Sequence, residues 1–191
     1  MAAPRVLRSE YQEWAKTRAR ARFDLATSGI DPLPLAELGA GIDDLELTGP
    51  SLDGYPPLQR ALAAHCGVPE EQVVAAVGTS LANHLAMAAL VAPGDEVLLE
   101  HPVYEPILAL ARYLGAEVKR FARRPETEWA IDVEEVERLT TPRTRLIVLS
   151  DLHNPSGARL DATTLAALGA LARRAGARVL VDEVYLEMVR I

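Results

Sequence analysis

The sequence predicts an α/β fold: a mainly parallel sheet with helices on both faces, preceded by an N-terminal helix and an extended arm. Three observations carry this. From residue 73 onward short β-branched runs alternate with longer helical ones, the pattern of βαβ units in a covered sheet. Pro93-Gly94-Asp95 makes a tight stop between a helical segment and a strand run, and Gly115 and Gly176 close helices as C-terminal caps do. No internal repeat, low-complexity tract or interdomain linker interrupts the pattern.

Taken in order, residues 5–22 have helical spacing, with Tyr11, Trp14 and Ala15 apolar among charged positions. The Gly/Pro-rich stretch from Ser28 to Pro57 has turn signals at Asp31-Pro32, Gly49-Pro50 and Asp53-Gly54 and no long periodic segment, which predicts an arm with short turns. Helical spacing resumes over Pro57–His65, with Leu58 and Leu62 on one face. Strands are expected at Val73–Val77, Glu96–Leu99, Glu117–Phe121, Arg145–Leu149 and Arg178–Val181. Between them, helices are expected over Leu81–Val91, in the segment ending at Leu114, and over Val133–Leu139 and Ala162–Ala175. The organisation is an arm over 1–52 followed by an α/β domain over 53–191.

Composition narrows the function classes. The chain has 191 residues, enough for one domain with a sizeable core. A net charge of −7 leaves no electrostatic footprint for nucleic acid or an anionic membrane. Arg18, Arg20 and Arg22 read as a solvated helix face. Cys66 is the sole cysteine, which rules out an intramolecular disulfide and suits a reducing cytoplasm. The first residues lack the apolar core of a signal peptide, and no stretch is long enough to span a bilayer. Of the 20 basic residues only Lys16 and Lys119 are lysines, so each lysine can be followed individually.

In a parallel α/β sheet ligands collect at the carboxyl ends of the strands, and the polar residues of interest follow the strand runs. Gly78-Thr79-Ser80 precedes a helix. Glycine admits a ligand close to the backbone, and the first helical turn offers unpaired N–H groups at a positive dipole end, which suits a phosphate. The same hydroxyls also serve as a plain N-cap. His101-Pro102-Val103-Tyr104 directs a tyrosine ring toward the strand ends, either to stack on a planar ligand or to close the core edge. Asn154, before Pro155-Ser156-Gly157, is either a turn residue or a ligand contact. Asp182 ends a buried strand, where a carboxylate needs a partner. No local partner is evident in the sequence, which points to a ligand cation. Glu183, Val184 and Tyr185 follow it.

The phrases GYPPLQRALA, VGTSLANHLAMAAL, PGDEVLLEHPVYE, LSDLHNPSG and VLVDEVY, in this order between Asp53 and Tyr185, resemble the large domain of the fold-type-I pyridoxal-phosphate (PLP) enzymes, the aspartate aminotransferase superfamily with its class I/II aminotransferases. A Rossmann fold would call for G-x-G-x-x-G, which is absent. The resemblance implies PLP as cofactor. It implies that Gly78, Thr79 and Ser80 hold the phosphate and that Tyr104 stacks on the pyridine ring. Asn154 and Tyr185 would hydrogen-bond the phenolic oxygen, and Asp182 would pair with the pyridine nitrogen. Gly29 matches the family glycine near the substrate carboxylate. The implied partners are an amino acid, a 2-oxo acid and a second copy in a homodimer, with a cytoplasmic location and no metal.

Two departures stand out. Thr48 occupies the place of a family tyrosine that reaches the other subunit's phosphate, and it is too short to copy that contact. The family's Schiff-base lysine lies a few tens of residues beyond the D-E-x-Y strand, in a Ser-x-x-Lys-like setting that neither Lys16 nor Lys119 has. The substrate-carboxylate arginine and the small domain carrying it are not in this sequence either. The expectation is therefore a truncated, incomplete large domain of a PLP-dependent aminotransferase, with no catalytic residue of its own and inactive alone. The alternatives are a β- or γ-eliminating lyase on the same scaffold and a non-catalytic remnant acting as a binding module.

Overall fold

A computed structural model describes residues 9–17, 22–23, 32–46, 49 and 54–189. The chain divides into two units, Trp14–Ala76 and Met1–Glu13 with Val77–Ile191. In the first, helix α2 (Pro56–Cys66) starts on Pro56 and ends on Gly67 in the left-handed conformation, with Val68 N–H donating back to Ala63 O at 3.0 Å. Short 3-10 turns at Leu35–Leu38 and Ile42–Asp44 punctuate the arm, and a third occupies Glu70–Gln72. Helix α1 covers Glu10–Thr17 of the longer segment expected over 5–22; residues 5–8 and 18–21 lie outside the described residues.

The second unit is built on β1 (Glu96–His101), β2 (Glu117–Ala122), β3 (Thr144–Ser150) and β4 (Arg178–Asp182). They form one sheet in the order β2-β1-β3-β4, all parallel. Helices α3 (Thr79–Leu90), α4 (Glu105–Tyr113), α5 (Val133–Leu139) and α6 (Ala162–Ala175) complete the βαβ pattern. The side-chain period of two divides the central strands between two cores. Val97, Leu99, Leu146 and Val148 pack with Met87, Ile107 and Ala111 of α3 and α4. Leu98, Ile147 and Leu149 pack with Val136, Leu168 and Leu171 of α5 and α6. Each fully buried side chain of this size contributes about 1.5–3 kcal/mol. The central strands β1 and β3 are covered on both faces in this way, which leaves their carboxyl ends as the place for a ligand.

Helix boundaries follow local chemistry. The Asp132 carboxylate accepts from Glu134 and Glu135 N–H to start α5, and Asp161 accepts from Thr164 N–H to start α6. Gly176, left-handed, ends α6. Gly115 has a second reason to be glycine: a Cβ there would meet Pro93 Cβ at 3.2 Å, in the turn where Gly94 N–H donates to Gly115 O.

One expected strand is absent. Val73–Val77 lies outside any strand: Val73 is extended, but no strand among the described residues pairs with it, and Val74 and Val77 are 77% and 90% exposed. β-branched residues favour a pleated, half-buried surface, and propensity without a pairing partner makes no strand. Helix α3 also begins at Thr79 rather than Leu81, which brings Thr79 and Ser80 into its first turn. No helix among the described residues is long and apolar enough to cross a membrane.

The amino end of the sheet is tied by Glu96, nearly buried at the start of β1. Its carboxylate accepts from Lys119 Nζ at 2.8 Å, from Thr141 Oγ1 at 2.6 Å and from Arg143 at 2.7 Å, while Arg143 also pairs with Glu117. The Lys119 and Thr141 hydrogen bonds lead in holding the Glu96 carboxyl at about 2, below its ordinary 4.5. A depressed carboxylate stabilises the fold fully above the unfolded value and loses that contribution as pH falls through the folded one. Acid unfolding should therefore draw on Glu96 between pH 4.5 and about 2. Glu96→Gln should cost about 1.5–3 kcal/mol at neutral pH and flatten the stability profile in that window, as measured by urea unfolding at stepped pH.

Candidate active site

At the carboxyl end of the sheet each strand finishes in a buried polar residue: Glu100 in β1, Arg123 just past β2, Ser150 in β3 and Asp182 in β4. Asp182 is 7% exposed. Its Oδ2 accepts from Asn83 Nδ2 at 2.8 Å and its Oδ1 from Val184 N–H at 3.1 Å. The sequence shows no local partner for Asp182, and the one found in the structure, Asn83, stands 99 residues earlier. Both partners are neutral, and no cation pairs with Asp182 among the described residues. Asn83 was not singled out in the sequence. The available signal was a polar residue four before Met87 on the buried stripe of α3, where an amide requires a hydrogen-bond partner.

The N-terminus of α3 differs from those of α5 and α6. Its N-cap is Gly78, at φ 79°, with no side-chain cap hydrogen bond. A Cβ there would meet nothing within 4 Å, so the space beside the backbone is open. Gly78 O accepts from Leu81 and Ala82 N–H, whereas the N–H groups of Thr79 and Ser80 donate to nothing among the described residues. The hydroxyls therefore do not cap the helix, and the first turn keeps free donors at the positive end of its dipole.

Ser80, Asn83, His84 and Tyr104 line a cavity of about 150 Å³ between α3 and α4, floored by Ile107 and Leu110. Tyr104 is half-buried at the N-cap of α4. Burial raises its phenol above the ordinary 10, and Tyr11, Tyr185, Asp182 and Glu105 add to the shift. The phenol is therefore protonated at neutral pH, and the carboxylate of Asp182 and the Tyr185 ring lie within its electrostatic reach. The Tyr11 ring meets Tyr104 edge-on at 5.9 Å and 82°, Gln12 Nε2 donates to its hydroxyl, and Ser9 donates to Glu105. These contacts by the start of α1 were not foreseen in the sequence.

Asn154 is half-buried, with its backbone N–H donating to Ser150 Oγ at 3.1 Å. Its side-chain amide has no hydrogen-bond partner among the described residues, and neither has the half-buried Tyr185 hydroxyl. The structure thus brings Ser80, Asn83 and Tyr104 around one cavity, joins Asn83 to Asp182, and places Asn154 on the adjoining β3 end. Gly29 and Thr48 lie outside the described residues. The side chain of Lys16 does too, while Lys119 is committed to Glu96 and to Leu139 O at the other end of the sheet.

Known proteins resemble most of this chain. A family model described as aminotransferase class I and II matches residues 35–191. The probable N-succinyldiaminopimelate aminotransferase of Mycobacterium tuberculosis is 41% identical over 147 residues, 71% of this chain and 36% of its own length. Capreomycidine synthase of Streptomyces vinaceus is 34% identical over 190 residues, 93% of this chain and 49% of its own. Among solved structures, a PLP-dependent aminotransferase from Streptococcus suis matches with a TM-score of 0.72 at 31% identity, covering 79% of this chain and 44% of that one. The chain spans between about a third and a half of the length of these relatives.

The Asn83–Asp182 contact can be checked apart from any ligand. Asn83→Ala should cost about 1–3 kcal/mol by leaving a buried carboxylate oxygen without its donor. Asn83→Asp should cost more, because it sets a second carboxylate where the amide stood, 2.8 Å from the first. Urea midpoints with unchanged m-values would show both effects.

Proposed function

The chain belongs to the aminotransferase class I and II family, and from that premise we propose that it forms the cofactor-holding portion of a PLP-dependent aminotransferase that moves an amino group between an amino acid and a 2-oxo acid. Members of this family depend on PLP. In this reading residues 1–52 are the arm and 53–191 part of the large domain. The protein acts in the cytoplasm as a homodimer.

One observation carries the assignment: among the described residues a buried carboxylate, Asp182, is held by two neutral donors and no cation, beside a helix N-terminus whose first N–H groups donate to none of those residues. That pair suits a ligand with a protonated ring nitrogen at one end and a phosphate at the other. When bound, PLP supplies an electron sink for the substrate's α-carbon. Asp182 holds the proton on the pyridine nitrogen, with Asn83 fixing the direction of the carboxylate. The backbone after Gly78 and the hydroxyls of Thr79 and Ser80 bind the phosphate. Tyr104 provides a flat, neutral ring to stack against the pyridine. The Asn154 amide and the Tyr185 hydroxyl hydrogen-bond the phenolic oxygen, and Gly29 lies near the substrate carboxylate. Lys119 is tied to Glu96, and neither it nor Lys16 stands in the family's Ser-x-x-Lys-like setting, so in this reading the portion holds the cofactor as a non-covalent cradle.

Two outcomes test the reading. The 191-residue chain should bind PLP saturably and reversibly, and borohydride treatment followed by mass spectrometry should leave its mass unchanged. Stoichiometric reductive attachment would refute the cradle. In the full-length enzyme Asp182→Ala should lower kcat on the order of 10²–10³-fold, the scale for removing one preorganised electrostatic group, with a much smaller loss of PLP affinity. The activity is read as one 2-oxo acid and one new amino acid formed per turnover. Ammonia with no new amino acid would replace the transaminase by an eliminating lyase.

A further inference from the structure

Behind the candidate site lies a second polar assembly that the proposed chemistry does not use. His153 is 1% exposed. Its Nε2 is 3.0 Å from Pro102 O and its Nδ1 is 2.6 Å from Ser156 Oγ. A carbonyl has no proton to give, so Nε2 carries the hydrogen and donates it. Nδ1 then accepts from the Ser156 hydroxyl, whose oxygen in turn accepts from Ala158 N–H at 3.2 Å. The backbone closes around the ring, with His153 N–H donating to Ala158 O and Gly157 N–H to His153 O.

The wall behind the imidazole is charged. Glu100 accepts from Arg123 Nη1 at 2.9 Å, from Ser150 N–H at 2.7 Å and from Ser150 Oγ at 2.6 Å. Its Oε2 is 3.9 Å from His153 Nε2, longer than a hydrogen bond, so the Nε2 proton stays with Pro102. Arg123 Nε donates to Trp129 O at 2.6 Å, which pins a residue at φ 63° whose ring centroid is 5.8 Å from that of His153. No buried side-chain polar atom is left without a partner among the described residues. Pro102 is two residues before Tyr104, and Ser156 is two after Asn154. The two ring nitrogens thus join one site loop to the other, and Ser150, bonded to Glu100, accepts the Asn154 N–H.

We propose that His153 is a positioning residue: its neutral Nε2–H imidazole locks the Asn154 loop to the Tyr104 loop so that both side chains address one planar ligand. An apolar side chain would fill the same volume but leave Pro102 O without its donor, so the role belongs to the hydrogen-bond pattern. The proposal rests on the PLP-site reading above, and its test separates the two.

Three variants grade the pattern. His153→Gln keeps a donor within reach of Pro102 O, His153→Asn keeps only a group near Ser156, and His153→Phe keeps neither. PLP titration of the 191-residue chain, followed by tryptophan quenching, should show the Asn and Phe variants weakened about tenfold, the scale of one lost buried hydrogen bond. The Gln variant should return most of the affinity. Imidazole ¹⁵N shifts of the wild type should report the Nε2–H tautomer, and the amide resonances of Tyr104 and Asn154 should move together in the Phe variant and return in the Gln variant. Equal PLP affinity in the Gln and Asn variants, which also decides the matter where the Phe variant does not fold, would overturn the proposal. So would an Nδ1–H tautomer, or Tyr104 and Asn154 resonances that ignore the substitution. If the wild-type chain binds no PLP, the cofactor reading falls, and the amide resonances alone decide the role of His153.

Discussion

The carboxyl edge of the sheet depends on one buried ion pair, Glu100 with Arg123, whose side chains are 0% and 1% exposed. Desolvation dominates at Glu100 and raises its carboxyl above the ordinary 4.5, against the opposing pull of Ser150 and Arg123. Such a pair is tolerated only when the remaining lone pairs and protons are satisfied. Here they are: Ser150 supplies two donors to Glu100, and Trp129 O accepts from Arg123. The consequence is geometric, because the ends of β1, β2 and β3 are tied to one another before any ligand arrives. Asp151 extends the tie, its N–H donating to Asp182 O at 2.9 Å and its carboxylate accepting from Leu160 N–H.

Strand β1 thus carries a glutamate at each end, and their surroundings set them apart. Glu96 faces partners that reach solvent, and Lys119, Thr141 and Arg143 pull its carboxyl well down. Glu100 faces a sealed interior, and burial pushes its carboxyl up. Same residue type, same strand, four residues apart: the difference is environment alone. The amino edge holds the sheet together where no ligand is expected, and the carboxyl edge is free to be arranged around a site.

What was legible in the sequence follows from range of interaction. The four observed strands and the helices from α3 onward were legible to within a few residues, because apolar periodicity and caps such as Asp132, Asp161 and Gly176 are local. Val73–Val77 misled for the opposite reason, since pairing is a tertiary fact that β-branching does not report. The residues at the strand ends could be named from position after each run. Their partners could not: Asn83 meets Asp182 across 99 residues, and His153 meets Pro102 across 51. A buried polar residue in an apolar run, as with Glu100 after Val97-Leu98-Leu99, announces that a partner exists without saying which.

Helix α3 gives the site its rigidity. Ser80 and Asn83 are three residues apart, so they share one face of the helix, and both line the cavity that Tyr104 borders. The free donors of the first turn and the amide that grips Asp182 are therefore parts of one rigid body. A planar ligand with an anionic arm and a basic ring nitrogen, as PLP has, would find its two charged contacts at a spacing preset by the helix rather than by loops. Met87, one turn further and fully buried against Leu99 and Val148, anchors that body to the sheet core. In the proposed site that spacing would be inherited from the packing of the fold, and the polar network under the loops would hold the Tyr104 and Asn154 loops to it.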